Sequence, residues 1–214
     1  VAGHEYWHPD PAFYYDIGGG PMLDMGPYYI TALVNLLGPV RAVQAMSARP
    51  RKRRPIRSQP KRGEMMAVRV ATHVTGTLRF ASGALVTVTL SFDVARHGHA
   101  PIELYGSDGA MQVPDPNMFG GPVTIAAPRA TEWTDVPVRA AYADANYRSL
   151  GVAEMAHAIL AGRPHRASGA LALHVLEVME AFETASRTGT VVRIASRVER
   201  PAPLADELKR GRLA

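Results

Sequence analysis

An aspartate and a tyrosine stand four residues apart in the stretch GGGPMLDMGPY at positions 18–28. The i, i+4 spacing of Asp24 and Tyr28 places both side chains on one face of a helix. A tyrosine hydroxyl can take up or release a proton when a cation or a helix N-terminus lowers its pKa. The spacing is therefore compatible with a catalytic pair. The same two residues also suit a structural role, with Asp24 as the helix N-cap and Tyr28 as a packed aromatic.

Three consecutive glycines precede this pair, and a glycine-rich turn that opens a helix often binds phosphate. A dinucleotide fingerprint needs G-x-G-x-x-G directly after an apolar strand, whereas these glycines are consecutive and follow AFYYDI. Asp24 would also repel a pyrophosphate at the helix N-terminus. We therefore expect Gly19 and Gly20 to allow a substrate or cofactor to approach the backbone closely, and not to cradle phosphate.

Other polar residues could contact a substrate. Two of them precede the glycines and could form a wall of a sugar pocket or pack as an aromatic loop. A histidine lies within an apolar strand pattern, and an acid and a histidine follow the next strand, where they could bind substrate or complete a polar turn. No zinc signature or third ligand accompanies them, so we predict no metal site. These substrate-binding candidates are Trp7, His8, His73, Asp93 and His99.

The periodicity of the apolar residues predicts the elements that position these side chains. A helix begins near Asp24 or shortly before it and ends at Gly38-Pro39, with Pro27 in the first turn, because proline is disfavoured in a helix interior. Two further helices are predicted over 147–161 and 168–189, and His174 in the last is expected to be a core or interface histidine. Alternating runs predict strands at 40–46, 68–80, 84–92, 101–106, 110–114, 122–127, 132–138 and 191–196.

This order of elements predicts an α+β fold, with a predominantly antiparallel open sheet and helices packed on one face. We expect one domain over residues 1–200 and a polar tail over 201–214. The absence of cysteine fits a reducing, cytoplasmic location, and no apolar run is long enough to cross a membrane.

A basic segment, residues 49–63, contains no acid and accounts for more than the whole net charge of +5. It lacks the interleaved aromatics that stack on single-stranded nucleic acid, so nucleic-acid binding is the least favoured reading. We expect a solvated insertion, and leave open an acidic or phosphorylated partner. Its cations are Arg49, Arg51, Lys52, Arg53, Arg54, Arg57, Lys61 and Arg62.

The run WHPDPAFYYDIGGGPMLDMGPYYITALVNLLGPV resembles the start of the C-terminal domain of the Gfo/Idh/MocA oxidoreductases, which include glucose-fructose oxidoreductase and inositol dehydrogenase. That family has a GG-x-x-x-D-x-G-x-H/Y signature, matched here by Gly19, Gly20, Asp24, Gly26 and Tyr28. The likeness continues through ATHVTGTLRFASGALVTVTLSFDV, PIELYGSDGAMQVPDPNMFGGPV and ALHVLEVMEAFETASRTG.

The resemblance implies that Tyr28 occupies the acid–base position, which is histidine in many members, and that Asp24 supports it. It also implies hydride transfer between NAD or NADP and a sugar, cyclitol or related hydroxy compound. The family's nucleotide-binding glycines and its Glu-Lys-Pro motif do not occur in this sequence. We therefore expect the chain to correspond to the C-terminal catalytic and oligomerisation half, inactive by itself.

The resemblance further implies that subunits pack through the face of the β-sheet, so we predict a homodimer or tetramer. A sheet with helices on only one side leaves its other face to be covered. The rival interpretation is a non-catalytic binding or assembly module with the same fold.

Overall fold

The computed structural model describes residues 3–138 and 140–204. These residues form two compact units, one from the described residues of Val1–His97 and Gly169–Arg200, the other from those of Gly98–Ser168 and Pro201–Ala214. All strand pairs in both units are antiparallel, as predicted for an α+β fold. The predicted fold class is therefore confirmed.

The first unit holds a four-stranded sheet in the order β10-β1-β4-β5 and a separate β2-β3 hairpin. Helices α1 and α3 pack on each other and against this sheet. The elements of this unit are α1 (Pro21–Leu37), β1 (Val40–Ala48), β2 (Arg53–Pro55), β3 (Met65–Ala67), β4 (His73–Phe80), β5 (Leu85–Ser91), α3 (Gly169–Thr188) and β10 (Val192–Arg193).

Strand alternation gives the four-stranded sheet one buried and one open face. Leu78 on β4 is fully buried, and a side-chain carbon on Gly76 would lie 2.7 Å from the Phe182 ring of α3, so this face meets the helices. On the opposite face, Met46 and Leu85 are 77% and 66% exposed. Within the described residues of the first unit, helices thus cover only one side of the sheet.

The second unit contains a four-stranded meander in the order β6-β7-β8-β9, followed by a short helix. Buried Glu154 of that helix forms ion pairs with Arg163 and Arg166 at 2.7 Å, which fix the chain that follows the helix. The elements are β6 (Ile102–Gly106), β7 (Gly109–Val113), β8 (Val123–Ala126), β9 (Thr134–Val136) and α2 (Leu150–Leu160).

Candidate functional site

Helix α1 begins three residues before Asp24, so Asp24 is not its N-cap. The N-cap is Gly20, whose φ of 93° suits glycine, and no side chain caps the helix there. Asp24 lies in the first turn and Tyr28 one turn later, 37% exposed. The capping role that we considered for Asp24 is therefore wrong, and Tyr28 is accessible from solvent.

The early start of α1 also corrects the position of Pro27. This proline lies inside the helix and not in its first turn. A proline there leaves the carbonyl of Leu23 without its helical donor. Both Leu23 and Pro27 are exposed, so water can replace the lost donor.

His4 is the nearest ionisable partner of Asp24. Its Nε2 lies 3.1 Å from Asp24 Oδ2, and the two side chains are 12% and 21% exposed. The imidazole stacks on the Tyr14 ring at 3.7 Å and meets the edge of Phe92 at 4.7 Å. The sequence offered no signal for His4, because it lies in an irregular segment twenty positions before its partner.

Tyr14 belongs to the same group of side chains. Burial raises the pKa of the Tyr14 hydroxyl, and the negative charge of Asp24 and of ionised Tyr28 raises it further. Electrostatic coupling of this kind requires the three side chains to lie near one another. His4, Tyr14, Asp24 and Tyr28 thus form one cluster, which we call the Asp24 cluster.

The glycines of the GG-x-x-x-D-x-G pattern have internal reasons to be glycine. A side-chain carbon on Gly19 would lie 2.5 Å from the carbonyl oxygen of Tyr14. On Gly26 it would lie 2.6 Å from Met179 Sδ, where α1 packs against α3. These contacts explain Gly19 and Gly26 by chain packing, and the expected close approach of a cofactor at Gly19 and Gly20 stays a prediction.

Arg54 sits in a buried ion network at the base of this region, although the sequence predicted a solvated segment. It is 3% exposed, its Nη1 donates to Glu5 Oε1 at 2.8 Å, and its Nη2 pairs with Asp93. Glu5, itself 3% exposed, also accepts a hydrogen bond from the Tyr15 hydroxyl. Burial is the largest cause of a raised pKa for the Tyr15 hydroxyl, and the hydrogen bond to Glu5 raises this pKa further.

The expectation of a solvated insertion at 49–63 is therefore wrong in part. Residues 53–55 form β2, which pairs with β3, and Ile56 is buried at 3% exposure. The backbone amides of Arg57 and Ser58 both donate to the Glu5 carbonyl, so the segment is anchored to the N-terminal chain. The sequence does not reveal that one of its cations, Arg54, neutralises the buried acid Glu5.

The predicted substrate residues have different surroundings. Trp7 is 63% exposed, whereas the His8 Nδ1 accepts a hydrogen bond from the Asp10 amide at 3.0 Å. The Asp93 carboxylate has two internal partners, Arg54 and the Thr72 hydroxyl, which favours a positioning role over direct substrate contact.

The two remaining histidines of that set have polar partners of their own. His73 lies on the sheet face opposite Val74, away from the helices, and its Nδ1 is 3.0 Å from Ser91 Oγ. His99 belongs to the second unit, where its Nδ1 lies 3.5 Å from Glu103 Oε2. The substrate-binding assignments of both residues stay predictions.

The prediction for His174 is confirmed. Its side chain is fully buried, Nε2 accepts a hydrogen bond from the Val40 amide at 3.0 Å, and Nδ1 lies 2.8 Å from Ser196 Oγ. Burial lowers the pKa of this histidine. His174 therefore joins α3 to the start of β1 as a neutral structural group.

Within residues 3–138 and 140–204, no cluster of three or more histidine or acidic side chains could hold a metal ion. In the same part of the chain, no helix is long and apolar enough to cross a membrane.

Comparison with known proteins identifies the fold. The sequence profile described as the GFO/IDH/MocA C-terminal domain matches residues 1–112, just over half of the chain. The chain belongs to the GFO/IDH/MocA family. No curated protein sequence gives a significant match.

Solved structures similar to this GFO/IDH/MocA chain are oxidoreductases. An NAD-binding oxidoreductase from Klebsiella pneumoniae has a TM-score of 0.70 at 16% identity, over 91% of this chain and 57% of its own. Levoglucosan dehydrogenase in complex with NADH and L-sorbose has a TM-score of 0.68 at 19% identity, over 89% of this chain and 56% of its own.

An aldose-aldose oxidoreductase from Caulobacter crescentus, complexed with glycerol, has a TM-score of 0.60 at 24% identity, over 82% of this chain and 48% of its own. The GFO/IDH/MocA chain therefore spans about half the length of the solved structures that it matches.

Proposed function

We propose that the chain is the substrate-binding and catalytic half of an NAD(P)-dependent oxidoreductase acting on a sugar, cyclitol or related hydroxy compound. The observation that carries this proposal is the placement of Asp24 and Tyr28 on one accessible helix face, with Asp24 free of a capping role. The family supports it, as do the NADH and polyhydroxy ligands named for similar structures.

Tyr28 is the proposed acceptor of the substrate proton. Oxidation of an alcohol carbon transfers a hydride to the nicotinamide and requires removal of the hydroxyl proton, and we propose that the deprotonated Tyr28 oxygen accepts this proton. Asp24, one turn earlier, would orient the substrate hydroxyl and the tyrosine by accepting a hydrogen bond. Trp7 would offer an apolar face to the carbon-bound hydrogens of a sugar, as its 63% exposure allows.

The described residues do not fit a dinucleotide. The space beside Gly19 is filled by the Tyr14 backbone, and Asp24 places a negative charge in the first turn of α1, where a phosphate would bind. We therefore propose that NAD or NADP is held mainly by a separate nucleotide-binding domain, that the chain alone does not turn over, and that its setting is the cytoplasm.

The open sheet face supports a second part of the proposal. Met46 and Leu85 are exposed apolar side chains on a sheet that helices cover only on the other side. We propose that a second copy of the chain covers this face in a homodimer or tetramer.

The enzyme assembled with its nucleotide-binding domain provides the test. A panel of aldoses, sugar acids and cyclitols would be offered with NAD and with NADP, and reduced nicotinamide followed by absorbance. We expect turnover with at least one compound, and its loss in Asp24→Asn. Nicotinamide binding without turnover on any compound would favour the rival, non-catalytic module.

A further inference from the structure

His4 is held rigidly beside Asp24 although it belongs to a different segment of the chain. The imidazole stacks on the Tyr14 ring with the ring centroids 3.7 Å apart, and the Phe92 ring meets it at a steep angle with the centroids 4.7 Å apart. Its backbone is fixed as well, because the His4 amide donates to the Tyr15 hydroxyl at 3.2 Å. A ring restrained by two aromatic neighbours can hold an adjacent group in one orientation.

The two nitrogens of this ring have different surroundings. Nε2 lies 3.1 Å from Asp24 Oδ2, whereas Nδ1 is buried without a hydrogen-bond partner among the described residues. Nδ1 is unpaired in either tautomer of the ring, but only the tautomer with its proton on Nε2 offers a donor to the carboxylate, which can only accept when ionised. The geometry therefore selects the Nε2–H tautomer.

The contact between His4 and Asp24 is close but poorly aligned. Although the 3.1 Å separation is within hydrogen-bond range, Asp24 Oδ2 is buried and has no well-directed hydrogen bond in the described part of the chain. Catalytic hydrogen bonds are often loose in a ligand-free site and tighten in the substrate complex.

We propose that His4 is a positioning residue that acts through Asp24. Its Nε2–H holds Oδ2, so that the carboxylate presents its other oxygen to the substrate hydroxyl beside Tyr28. This inference rests on the proposed function and extends it to a residue outside the GG-x-x-x-D-x-G-x-H/Y pattern.

The first test needs no catalysis. Long-range ¹H–¹⁵N correlation spectra of the ¹⁵N-labelled chain report which nitrogen of each histidine bears the proton, and His4→Gln assigns the His4 signals by their loss. We expect the Nε2–H tautomer for His4 and a weakened preference in Asp24→Asn, because an asparagine can donate as well as accept. A ring protonated on Nδ1 alone, or averaging between tautomers in the unsubstituted chain, would overturn the proposal.

The second test compares two replacements of His4 in the assembled enzyme. His4→Phe keeps the stacking but removes the donor, and should lower kcat by roughly 10- to 100-fold with little change in KM, since His4 does not touch the substrate. His4→Gln supplies an amide donor near the Nε2 position and should recover much of that loss. Equal turnover in both variants, whether high or low, contradicts a role through hydrogen bonding to Asp24.

The two hypotheses fail in different ways. Loss of turnover in Tyr28→Phe together with equal behaviour of the two His4 variants overturns the role of His4 alone. Full turnover in Tyr28→Phe overturns the proposed function and, with it, the catalytic role of His4.

Discussion

Tyr14 reports the charge of the Asp24 cluster because its hydroxyl is sensitive to the neighbouring carboxylate. Burial and the charges of Asp24 and Tyr28 raise the Tyr14 pKa above its ordinary value of 10.0. Phenolate next to a carboxylate is disfavoured, so removing the carboxylate must favour phenolate. The Tyr14 titration therefore measures whether Asp24 lies where the structure places it.

We expect Asp24→Asn to lower the Tyr14 pKa toward, but not to, its ordinary value, because burial persists. The measurement is an alkaline titration of phenolate absorbance, with Tyr14→Phe variants identifying the Tyr14 contribution by difference. Asp115→Asn is the matched control and should leave the Tyr14 titration unchanged, because the Asp115 charge is not among those that raise the Tyr14 pKa. An identical Tyr14 pKa with aspartate and asparagine at position 24 would disprove the coupling.

Arg54 is buried, although the sequence predicted that its segment would be solvated. Its loss would leave buried Glu5, and the partly exposed Asp93 carboxylate, without their common cation. Removing one member of a buried ion network costs about 3–5 kcal/mol, because the remaining charges are uncompensated. The side chain therefore stabilises the fold and is withdrawn from solvent.

We expect Arg54→Met to lower the free energy of unfolding by about that amount in urea denaturation. Arg53→Met is the matched control, since Arg53 is exposed on the same strand, and its effect should stay within about 0.5 kcal/mol. Similar midpoints for the two variants would show that the buried network contributes little.

At the scale of elements, α1 and the turn before it set the geometry of the candidate site. Gly19 abuts backbone carbonyl oxygens of Phe13 and Tyr14, which cannot move without breaking the turn. Gly26 abuts the flexible ends of Met22 and Met179, which can move aside. Steric crowding at these two glycines should therefore have unequal costs.

We expect Gly19→Ala to destabilise the chain by about 1–3 kcal/mol, as overpacking against a fixed group does. Gly26→Ala should be close to neutral, because a helical alanine gains up to about 1 kcal/mol over glycine and offsets the displacement of methionine. Thermal denaturation of both variants shows which of the two is less stable. A larger loss for Gly26→Ala would contradict the packing described for α1 and α3.

Much of the secondary structure could be predicted from the sequence. Alternation in 84–92 and the Gly38-Pro39 stop led to β5 and to the end of α1, since burial on one face and helix termination are encoded locally. The start of α1 at Pro21 fits the prediction of a start near or shortly before Asp24, but Pro27 was wrongly placed in the first turn, because a proline in the second turn is tolerated where its helix face is exposed. The contacts of His4 and Arg54 were also missed, since both depend on partners distant in sequence.

In the whole molecule, the open face of the four-stranded sheet is the proposed interface between subunits. Met46 is 77% exposed on that face, next to a row of threonines on β4 and β5. A charge placed in the centre of a buried interface would remain desolvated and unpaired in the dimer. The proposed interface is therefore sensitive to a single acidic substitution.

We expect Met46→Glu to shift a dimer or tetramer toward monomer in sedimentation velocity, with the far-ultraviolet circular dichroism unchanged. Met118→Glu is the control, as Met118 is 64% exposed in the second unit. If Met46→Glu sediments as the unsubstituted chain does, the sheet face is not the interface.

Tyr28 is the proposed proton-transferring group, and its replacement tests the proposed function most directly. In the enzyme assembled with its nucleotide-binding domain, kcat of Tyr28→Phe would be compared with that of Tyr29→Phe, which alters the neighbouring tyrosine of the same helix. We predict a loss of about 10²- to 10⁴-fold for Tyr28→Phe, with nicotinamide affinity retained, and a small effect for Tyr29→Phe. Equal turnover in the two variants would contradict the assignment.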